Sequence, residues 1–340
     1  MSLGCAGLQY SGVFMVSSAV DPGLQELQRC GRVWRLTRAE SWELIGYNGT
    51  RDNFMTVSWE NATQLITSGF INGNMCVVFI WHGFMGTPNT QFVPELVDAY
   101  IKKGCSPIAA DWSSLANPNP SPNYWQAAAN TETVGKQFGE ALSSMTAAGL
   151  RRDKITLVGI SLGGHVCGFA GHVYEILTSF KLDIVALDAA KPGFDPEFFR
   201  CITSTDAHIV LAIKTDPYGL GLCKDYGTHN VNFNPTSIKQ PGCLGSLNPE
   251  TTFSNSNLTD LVYCSHGRAA RYFVEMLLYN CTMIAKKANS TSEWVLFAKI
   301  LKYTICLIRD VVLGNPGNFY LTTNAYPLYG KGENGTDPAF

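Results

Sequence analysis

The middle of the chain alternates between short apolar runs and longer amphipathic segments, and this alternation is the strongest constraint on its fold. The apolar runs predict strands, and the two long segments predict helices. The predicted strands are 76–81, 107–111, 155–159, 182–187 and 209–213, and the predicted helices are 125–148 and 162–177. This β-α-β-α-β order predicts an α/β fold with a mostly parallel central sheet and helices on both faces. In such a sheet, functional side chains gather where the strands end.

The C-terminal third is less regular, and it predicts a helix at 267–278 and a last strand at 318–323. No linker marks a second folded unit, so we expect one domain over residues 30–330. An N-terminal segment, 1–29, expected to be incomplete or poorly ordered, would precede it. A C-terminal tail, 331–340, would follow it.

The composition excludes one class of partner and indicates a compartment. Only 15% of residues are charged and the formal net charge is -2, whereas nucleic-acid binding needs a clustered excess of Lys and Arg. The 11 cysteines are typical of a secreted enzyme with several disulfides and one thiol left over. Asn-x-Ser/Thr sequons also favour secretion, and they occur at Asn48, Asn61, Asn257, Asn280, Asn289 and Asn334.

The first residues do not resemble the signal peptide that secretion requires. Residues 1–28 contain no Lys or Arg, and Ser17 and Ser18 interrupt the apolar stretch 12–20. We expect either that the natural start lies upstream of Met1 or that this segment is a poor signal. No uninterrupted apolar run of about 18 residues occurs, so no membrane span is predicted.

One pentapeptide, Gly159-Ile160-Ser161-Leu162-Gly163, fits the Gly-x-Ser-x-Gly nucleophile elbow. Its glycines let a strand turn sharply into a helix, which exposes the serine hydroxyl above the sheet. A predicted strand precedes the motif and a predicted helix follows it, as this geometry requires. Ser161 is therefore the candidate nucleophile, and a glycine-rich turn without chemistry is the alternative.

A serine hydroxyl needs an adjacent base, which is usually histidine. Four of the six histidines lie beside a strand or on the helix after Ser161, where structural roles are favoured: His82, His165, His172 and His208. In elbow enzymes the base follows the acid along the chain, which leaves His229 and His266. We favour His266, because a disulfide at Cys264 would anchor its loop just before a helix. His229 lies in a Gly/Asn-rich loop with no evident anchor.

The acid that orients the base is expected at the same edge of the sheet. Asp188 directly follows the strand 182–187, the next strand along the chain from Ser161. Asp216, after the strand 209–213, is the alternative, and its other interpretation is a turn-forming Asp before Pro217. We favour Asp188.

The oxyanion of an acyl-transfer intermediate needs backbone N–H donors. The residue after the nucleophile, Leu162, supplies one, and the loop 81–86 after an early strand supplies the other. Phe84 is the candidate there, because Gly83 lets the chain turn its amides inward. No His, Asp or Glu pair has metal-ligand spacing on one helix, so neither a metal nor another cofactor is expected.

Short segments along nearly the whole chain match one known family in order. They are Val33-Trp-Arg-Leu-Thr37, Trp81-His-Gly-Phe84, Ala110-Asp-Trp-Ser113, Ala129-Asn-Thr131 with Val134-Gly135, Gly159-Ile-Ser-Leu-Gly163, Ala186-Leu-Asp188, Gln240-Pro-Gly-Cys243, Cys264-Ser-His266 and Asn318-Phe-Tyr-Leu-Thr-Thr-Asn324. On the basis of these segments the chain resembles the pancreatic-lipase superfamily, and most of all the single-domain neutral lipases and phospholipases A1 of arthropods.

The resemblance implies an α/β-hydrolase fold without the C-terminal β-sandwich domain of the family's two-domain members. It implies Ser161 as nucleophile, Asp188 as acid, His266 as base, and Phe84 and Leu162 as oxyanion donors. Two positions depart from the family pattern. Ile160 stands where the family usually has His, and Ala189 where it commonly has Pro. Neither change removes a catalytic atom, although both alter residues of the turns.

The loops over the site set the substrate class in this family. The resemblance implies that Cys243 and Cys264 close a lid, 244–263, which is polar and has no apolar stripe for an interfacial helix. A short second loop, 216–229, favours phospholipase A1. The 20-residue lid favours a triacylglycerol lipase instead.

The resulting prediction is a secreted serine carboxylic ester hydrolase that acts on lipids through an acyl-enzyme. Phospholipase A1, which releases the sn-1 fatty acid, ranks first. A triacylglycerol or neutral lipase ranks second, and a non-catalytic, yolk-protein-like lipid carrier ranks third. The expected partner is a membrane, micelle or lipoprotein surface, with no nucleic acid, no colipase-type protein and a monomeric chain.

Further disulfide pairs beyond Cys243 with Cys264 are expected, two from the positions of the cysteines on predicted elements and the last two from proximity in sequence alone. The expected pairs are Cys76 with Cys105, Cys281 with Cys306, Cys5 with Cys30 and Cys201 with Cys223. Cys167, on the helix after Ser161, is the expected free thiol, buried and inert.

Overall fold

The computed structural model describes residues 41–90, 92–118, 122–243, 255–307 and 315–338, with the backbone alone for 255–262. The strands are β1 (Glu43–Asn48), β2 (Thr50–Ser58), β3 (Val77–Trp81), β4 (Ser106–Asp111), β5 (Ile155–Ile160), β6 (Asp183–Leu187), β7 (Ile209–Lys214), β8 (His229–Phe233), β9 (Ile284–Lys287), β10 (Thr304–Cys306) and β11 (Gly317–Leu321). The α-helices are α1 (Gln64–Thr67), α2 (Phe92–Lys102), α3 (Ser113–Ala116), α4 (Tyr124–Ala147), α5 (Leu162–Thr178), α6 (Asn255–Leu278) and α7 (Thr291–Phe297).

All eleven of these strands form one sheet, in the order β10-β9-β11-β8-β7-β6-β5-β3-β4-β1-β2. The seven central strands, from β11 to β4, are parallel. Antiparallel strands complete both sides, with β1 and β2 beyond β4 and β9 and β10 beyond β11. The predicted mostly parallel sheet is confirmed, and so is each of its predicted strands.

Helices cover both faces of the sheet, and each face has its own apolar core. On one face α4 and α5 pack on the sheet through residues such as Phe138 and Val166. On the other face α2 and α6 do so through Leu96 and Phe273. Every residue of β3 and β7 is buried, which explains why these strands are continuously apolar rather than alternating.

Several elements were not predicted because their sequences lack a strong apolar pattern. The hairpin β1–β2 forms an edge of the sheet, and most of β2 is exposed. β8 has the sequence His-Asn-Val-Asn-Phe, and Asn disfavours strands, yet β8 pairs with β7 and β11. The prediction that His229 lies in an unanchored loop is therefore wrong. His229 is buried at the start of β8.

Helix α6 begins at Asn255, twelve residues before the predicted start at 267. The first residues of α6 are rich in Asn, Ser and Thr, which are poor helix formers, so sequence propensity did not reveal them. His266 consequently lies inside a helix and not before one. Of the predicted lid, residues 244–254 lie outside the described residues, and 255–263 form the start of α6.

Three predicted disulfides are present: Cys76–Cys105, Cys243–Cys264 and Cys281–Cys306. Cys167 is a buried free thiol, as expected. The pairing of Cys201 with Cys223 is wrong, because Cys201 is also a buried free thiol and Cys223 is bonded to another cysteine. Proximity in sequence was its sole basis, and it does not determine connectivity. The pairing of Cys5 with Cys30 lies outside the described residues, as do segment 1–29 and the motif at 33–37.

Within the described ranges, no helix is both long enough and apolar enough to cross a membrane. The division into a domain at 30–330 with two flanking segments stays a prediction.

Candidate active site

Ser161 lies in a strained turn between β5 and α5. Its φ of 56° and ψ of -117° place it outside the usual regions for a side-chain-bearing residue. The flanking glycines make the turn sterically feasible. A Cβ on Gly159 would lie 2.2 Å from the carbonyl oxygen of Gly163, and a Cβ on Gly163 would lie 2.3 Å from that of Trp81. The Ser161 N–H also donates to the Leu187 carbonyl at 3.1 Å, which fixes the turn to β6.

The loop after β3 passes directly over this serine. A Cβ on Gly83 would lie 2.7 Å from the Cβ of Ser161, so glycine is required by close approach. The Trp112 side chain holds the loop, because its Nε1 donates to the His82 carbonyl at 3.1 Å. Phe84, which directly follows Gly83, lines the pocket in front of Ser161. Leu162 is the first residue of α5, so its N–H has no partner within the helix.

Asp188 directly follows β6 and is fully buried at 1% exposure. Its Oδ1 accepts hydrogen bonds from the backbone N–H groups of Thr215 and Asp216, at 2.7 and 3.1 Å. Its Oδ2 lies 2.6 Å from Nδ1 of His266. A Cβ on Gly221 would lie 2.5 Å from both carboxylate oxygens, so the loop after β7 encloses this carboxylate closely.

His266 is buried in α6 and lines the same pocket as Ser161. Burial disfavours the charged imidazole, but the hydrogen bond to Asp188 and the charges of Asp188 and Asp216 outweigh it. The pKa of His266 is therefore raised above its ordinary value. Because Nδ1 is engaged by a carboxylate, the neutral ring keeps its proton there and leaves Nε2 as a proton acceptor.

The alternative acid, Asp216, is buried but has a different environment. Its Oδ2 accepts from the Leu220 N–H at 3.0 Å, and its Oδ1 lies 3.7 Å from Nζ of Lys239. Burial, followed by the charge of Asp188, raises the pKa of Asp216 to about 6. The geometry thus brings Asp188, and not the Asp216 side chain, into hydrogen-bond contact with His266.

The other buried histidines have local partners. The His82 ring stacks on Trp112, and burial lowers its pKa to about 4. His165 is fixed between the Ala190 carbonyl and the Ile202 N–H, at 2.8 and 3.2 Å, and burial lowers its pKa to about 3. His172 and His208 are exposed. His229 stacks on Phe319, away from the residues that line the pocket.

Ser161 and His266 open onto a pocket of about 1010 Å³. Much of its wall is aromatic, with Phe84, Phe92, Tyr124, Trp125 and Tyr263 among the lining residues. The described lining residues include no Asp, Glu, Lys or Arg. Such a pocket suits a long apolar group next to the serine hydroxyl.

Some residues around this site had no role in the sequence predictions. Trp112 supports the loop over Ser161, and Thr215 holds Asp188. The segment that contains Trp112 was part of the family signature, but a signature does not show what a side chain contacts. Thr215 contributes its backbone N–H and not its side chain, so its residue type did not indicate this role.

Comparison with known proteins identifies the family. The model of the Lipase family matches residues 14–297. The chain belongs to the Lipase family. It is a carboxylic ester hydrolase with the α/β-hydrolase fold, and the resemblance to the pancreatic-lipase superfamily is confirmed.

Individual Lipase-family relatives show the level of similarity. The chain is 33% identical to phospholipase A1 1 of Vespa affinis over 262 residues, 74% of each chain. It is 34% identical to phospholipase A1 of Vespa velutina over 222 residues, 61% of this chain and 67% of that one. Lipase member H-A of Xenopus laevis is 30% identical over 254 residues, 72% of this chain and 51% of its own.

Proposed function

We propose that the protein is a secreted serine hydrolase that cleaves lipid esters, with Ser161 as nucleophile, His266 as base and Asp188 as acid. One observation supports this most directly. The His266 ring, held at Nδ1 by the Asp188 carboxylate at 2.6 Å, lines the same apolar pocket as Ser161 in its strained turn.

The proposed reaction forms and breaks an acyl-enzyme. His266 Nε2 takes the proton from Ser161 Oγ as Oγ attacks the ester carbonyl carbon. The resulting oxyanion accepts hydrogen bonds from the N–H groups of Phe84 and Leu162. When the intermediate collapses, His266 returns the proton to the leaving alcohol, and the acyl group stays on Ser161. Water, activated by the same histidine, then releases the fatty acid and restores the serine.

Phospholipase A1 activity is our first choice of substrate class. The apolar, uncharged lining of the pocket suits an acyl chain, and the relatives in Vespa are named phospholipase A1. Triacylglycerol lipase activity is the second choice, supported by the length of the lid between Cys243 and Cys264. We expect more fatty acid from phosphatidylcholine than from a long-chain triacylglycerol. The opposite ratio would favour the second choice, and phospholipid labelled at one position would separate sn-1 from sn-2 cleavage.

Covalent labelling tests Ser161 as the nucleophile, and it would also expose a lipid carrier without catalysis. A fluorophosphonate probe should label the folded protein and fail to label Ser161→Ala. Ser144→Ala is the matched control, because Ser144 is an exposed serine that bonds only to its own helix at the Glu140 carbonyl. If the wild-type protein and the Ser144 control both stay unlabelled, the catalytic proposal is wrong.

The proposed setting is extracellular, at a lipid surface. The three disulfides between described cysteines are typical of an oxidising compartment. We further propose a monomer that needs no colipase-type partner. Size-exclusion chromatography with light scattering would test the monomer, and activity of the purified chain on micelles would test independence from a partner.

A further inference from the structure

Gln240 is a buried residue whose side chain uses its complete hydrogen-bonding capacity. Only 2% of it is exposed. Its Nε2 donates to the carbonyls of Thr215 and Phe233, at 2.8 and 2.7 Å. Its Oε1 accepts from Asn234 Nδ2 at 2.6 Å and from the Tyr272 hydroxyl at 3.1 Å. Two donors and two acceptors are all that a glutamine amide has.

One of these bonds leads to the proposed acid. The Thr215 carbonyl, which Gln240 binds, shares a planar peptide unit with the Asp216 N–H. That N–H donates to Asp188 Oδ1, and so does the Thr215 N–H. Gln240 therefore fixes the orientation of a peptide that holds Asp188, and polarises it toward the carboxylate.

Other bonds lead to the helix that bears the proposed base. The Gln240 backbone N–H donates to Ser265 Oγ at 3.0 Å, and Ser265 directly precedes His266. Tyr272, two turns further along α6, donates to the Gln240 side chain. Ser265 and Tyr272 are both fully buried. Gln240 thus contacts the supports of both Asp188 and His266 without touching either.

We infer that Gln240 is a positioning residue, which connects the peptide that holds Asp188 to the helix that carries His266 and so sets the Asp188–His266 contact. The inference rests on the proposed roles of those two residues. Loss of the Gln240 amide would free the Thr215 peptide to rotate, and the short contact at His266 Nδ1 would lengthen. His266 would then be a weaker and less well oriented base.

The test is the variant Gln240→Met, which keeps the length and burial of the side chain and removes its four hydrogen bonds. On a water-soluble short-chain ester, we expect kcat to fall by about 10- to 100-fold, as small displacements of catalytic groups do, with little change in KM. We also expect the acid limb of the pH–rate profile to move to lower pH, because His266 would lose part of the interaction that raises its pKa.

Glu275→Gln is the matched control for a purely structural effect. Glu275 is also buried, lies on α6 like His266, and accepts two backbone hydrogen bonds, from Tyr329 and Gly330 at 2.6 and 2.8 Å. Neither of these two hydrogen bonds is made to Asp188, His266 or Gln240, so this variant should lose stability and keep the wild-type pH profile. If Gln240→Met does not fold, Ser265→Ala decides the question, because it removes the acceptor of the Gln240 N–H and leaves the Gln240 amide in place. This variant should shift the profile in the same direction, and an unshifted profile would overturn the inference.

Two other results would also overturn the inference. One is a folded Gln240→Met protein with wild-type kcat and pH profile. The other is an equal shift of the profile in Glu275→Gln. A wild-type protein that does not react with the fluorophosphonate probe would instead refute the proposed function, and the inference would fall with it. If the probe labels the wild-type protein and Gln240→Met keeps the wild-type kcat and pH profile, only the inference is refuted and the proposed function stands.

Discussion

Two aspartates lie near His266, and their different surroundings give them different roles. Asp188 receives two backbone N–H bonds on one oxygen and the His266 ring on the other. Asp216 uses its carboxylate within its own turn, at Leu220. A carboxylate orients an imidazole through direct contact, so the acid role belongs to Asp188 in our proposal.

Substitution of each aspartate tests this assignment. Asp188→Asn and His266→Ala should each lower kcat by about three to four orders of magnitude while the protein stays folded. Asp216→Asn should lower kcat by less than about tenfold, because the backbone N–H of residue 216 still donates its hydrogen bond to Asp188. Turnover of a short-chain ester measures the effect, and circular dichroism checks the fold. A nearly active Asp188→Asn beside an inactive Asp216→Asn would reverse the assignment.

The raised pKa of His266 predicts the pH dependence of the rate. The base must be neutral to accept the Ser161 proton, so kcat/KM should fall as the pH decreases through this pKa. Since the pKa lies above its ordinary value of about 6.5, the loss of rate should begin near neutral pH. A pH–rate profile on a neutral ester measures it. A rate that stays constant down to about pH 5 would contradict the proposed base.

At the scale of elements, a disulfide ties α6 to the preceding loop close to His266. Cys243–Cys264 joins the helix, two residues before His266, to the segment that contains Gln240. Cys281–Cys306 closes a loop of similar length: its cysteines are 25 positions apart, and those of Cys243–Cys264 are 21 apart. Cys281 lies just beyond the end of α6, and its disulfide ties this end of the helix to β10.

Removing each disulfide in turn distinguishes an effect on stability from an effect on activity. The double variants Cys243→Ser/Cys264→Ser and Cys281→Ser/Cys306→Ser should each lose about 3 kcal/mol, because they free loops of similar length. Only the first should also lower kcat in the folded protein, because it loosens the part of α6 that bears His266. Urea unfolding and ester turnover measure the two effects. Equal kcat for both variants would show that the disulfide does not position His266.

The elements also show where sequence patterns are sufficient and where they are not. The strands β3 to β7 were predictable because burial makes them mostly apolar. The strand β8 and the start of α6 were not, because Asn, Ser and Thr dominate there and tertiary contacts override their weak propensities. The pairing of Cys201 with Cys223 failed for a related reason, since neighbours in sequence need not meet in space.

At the scale of the whole molecule, the sequons test the extracellular setting. Five of the six acceptor asparagines are exposed: Asn48, Asn61, Asn280, Asn289 and Asn334. The side chain of Asn257 lies outside the described residues. When the protein is expressed through a secretory pathway, we expect glycans on the exposed sites and a loss of mass after deglycosylation, measured by mass spectrometry. A secreted, active protein of unmodified mass would contradict this expectation.

The sequence by itself determined most of the parallel part of the sheet, the serine turn and a short set of candidates for base and acid. It could do so because these features depend on local patterns: apolar runs, paired glycines and residue types that follow strand ends. Only the tertiary structure decided which candidates meet. The contact between Asp188 and His266 joins residues 78 positions apart. The network around Gln240 joins the ends of β7 and β8 to the interior of α6. Such contacts depend on how the strands and helices pack, and no local pattern encodes that.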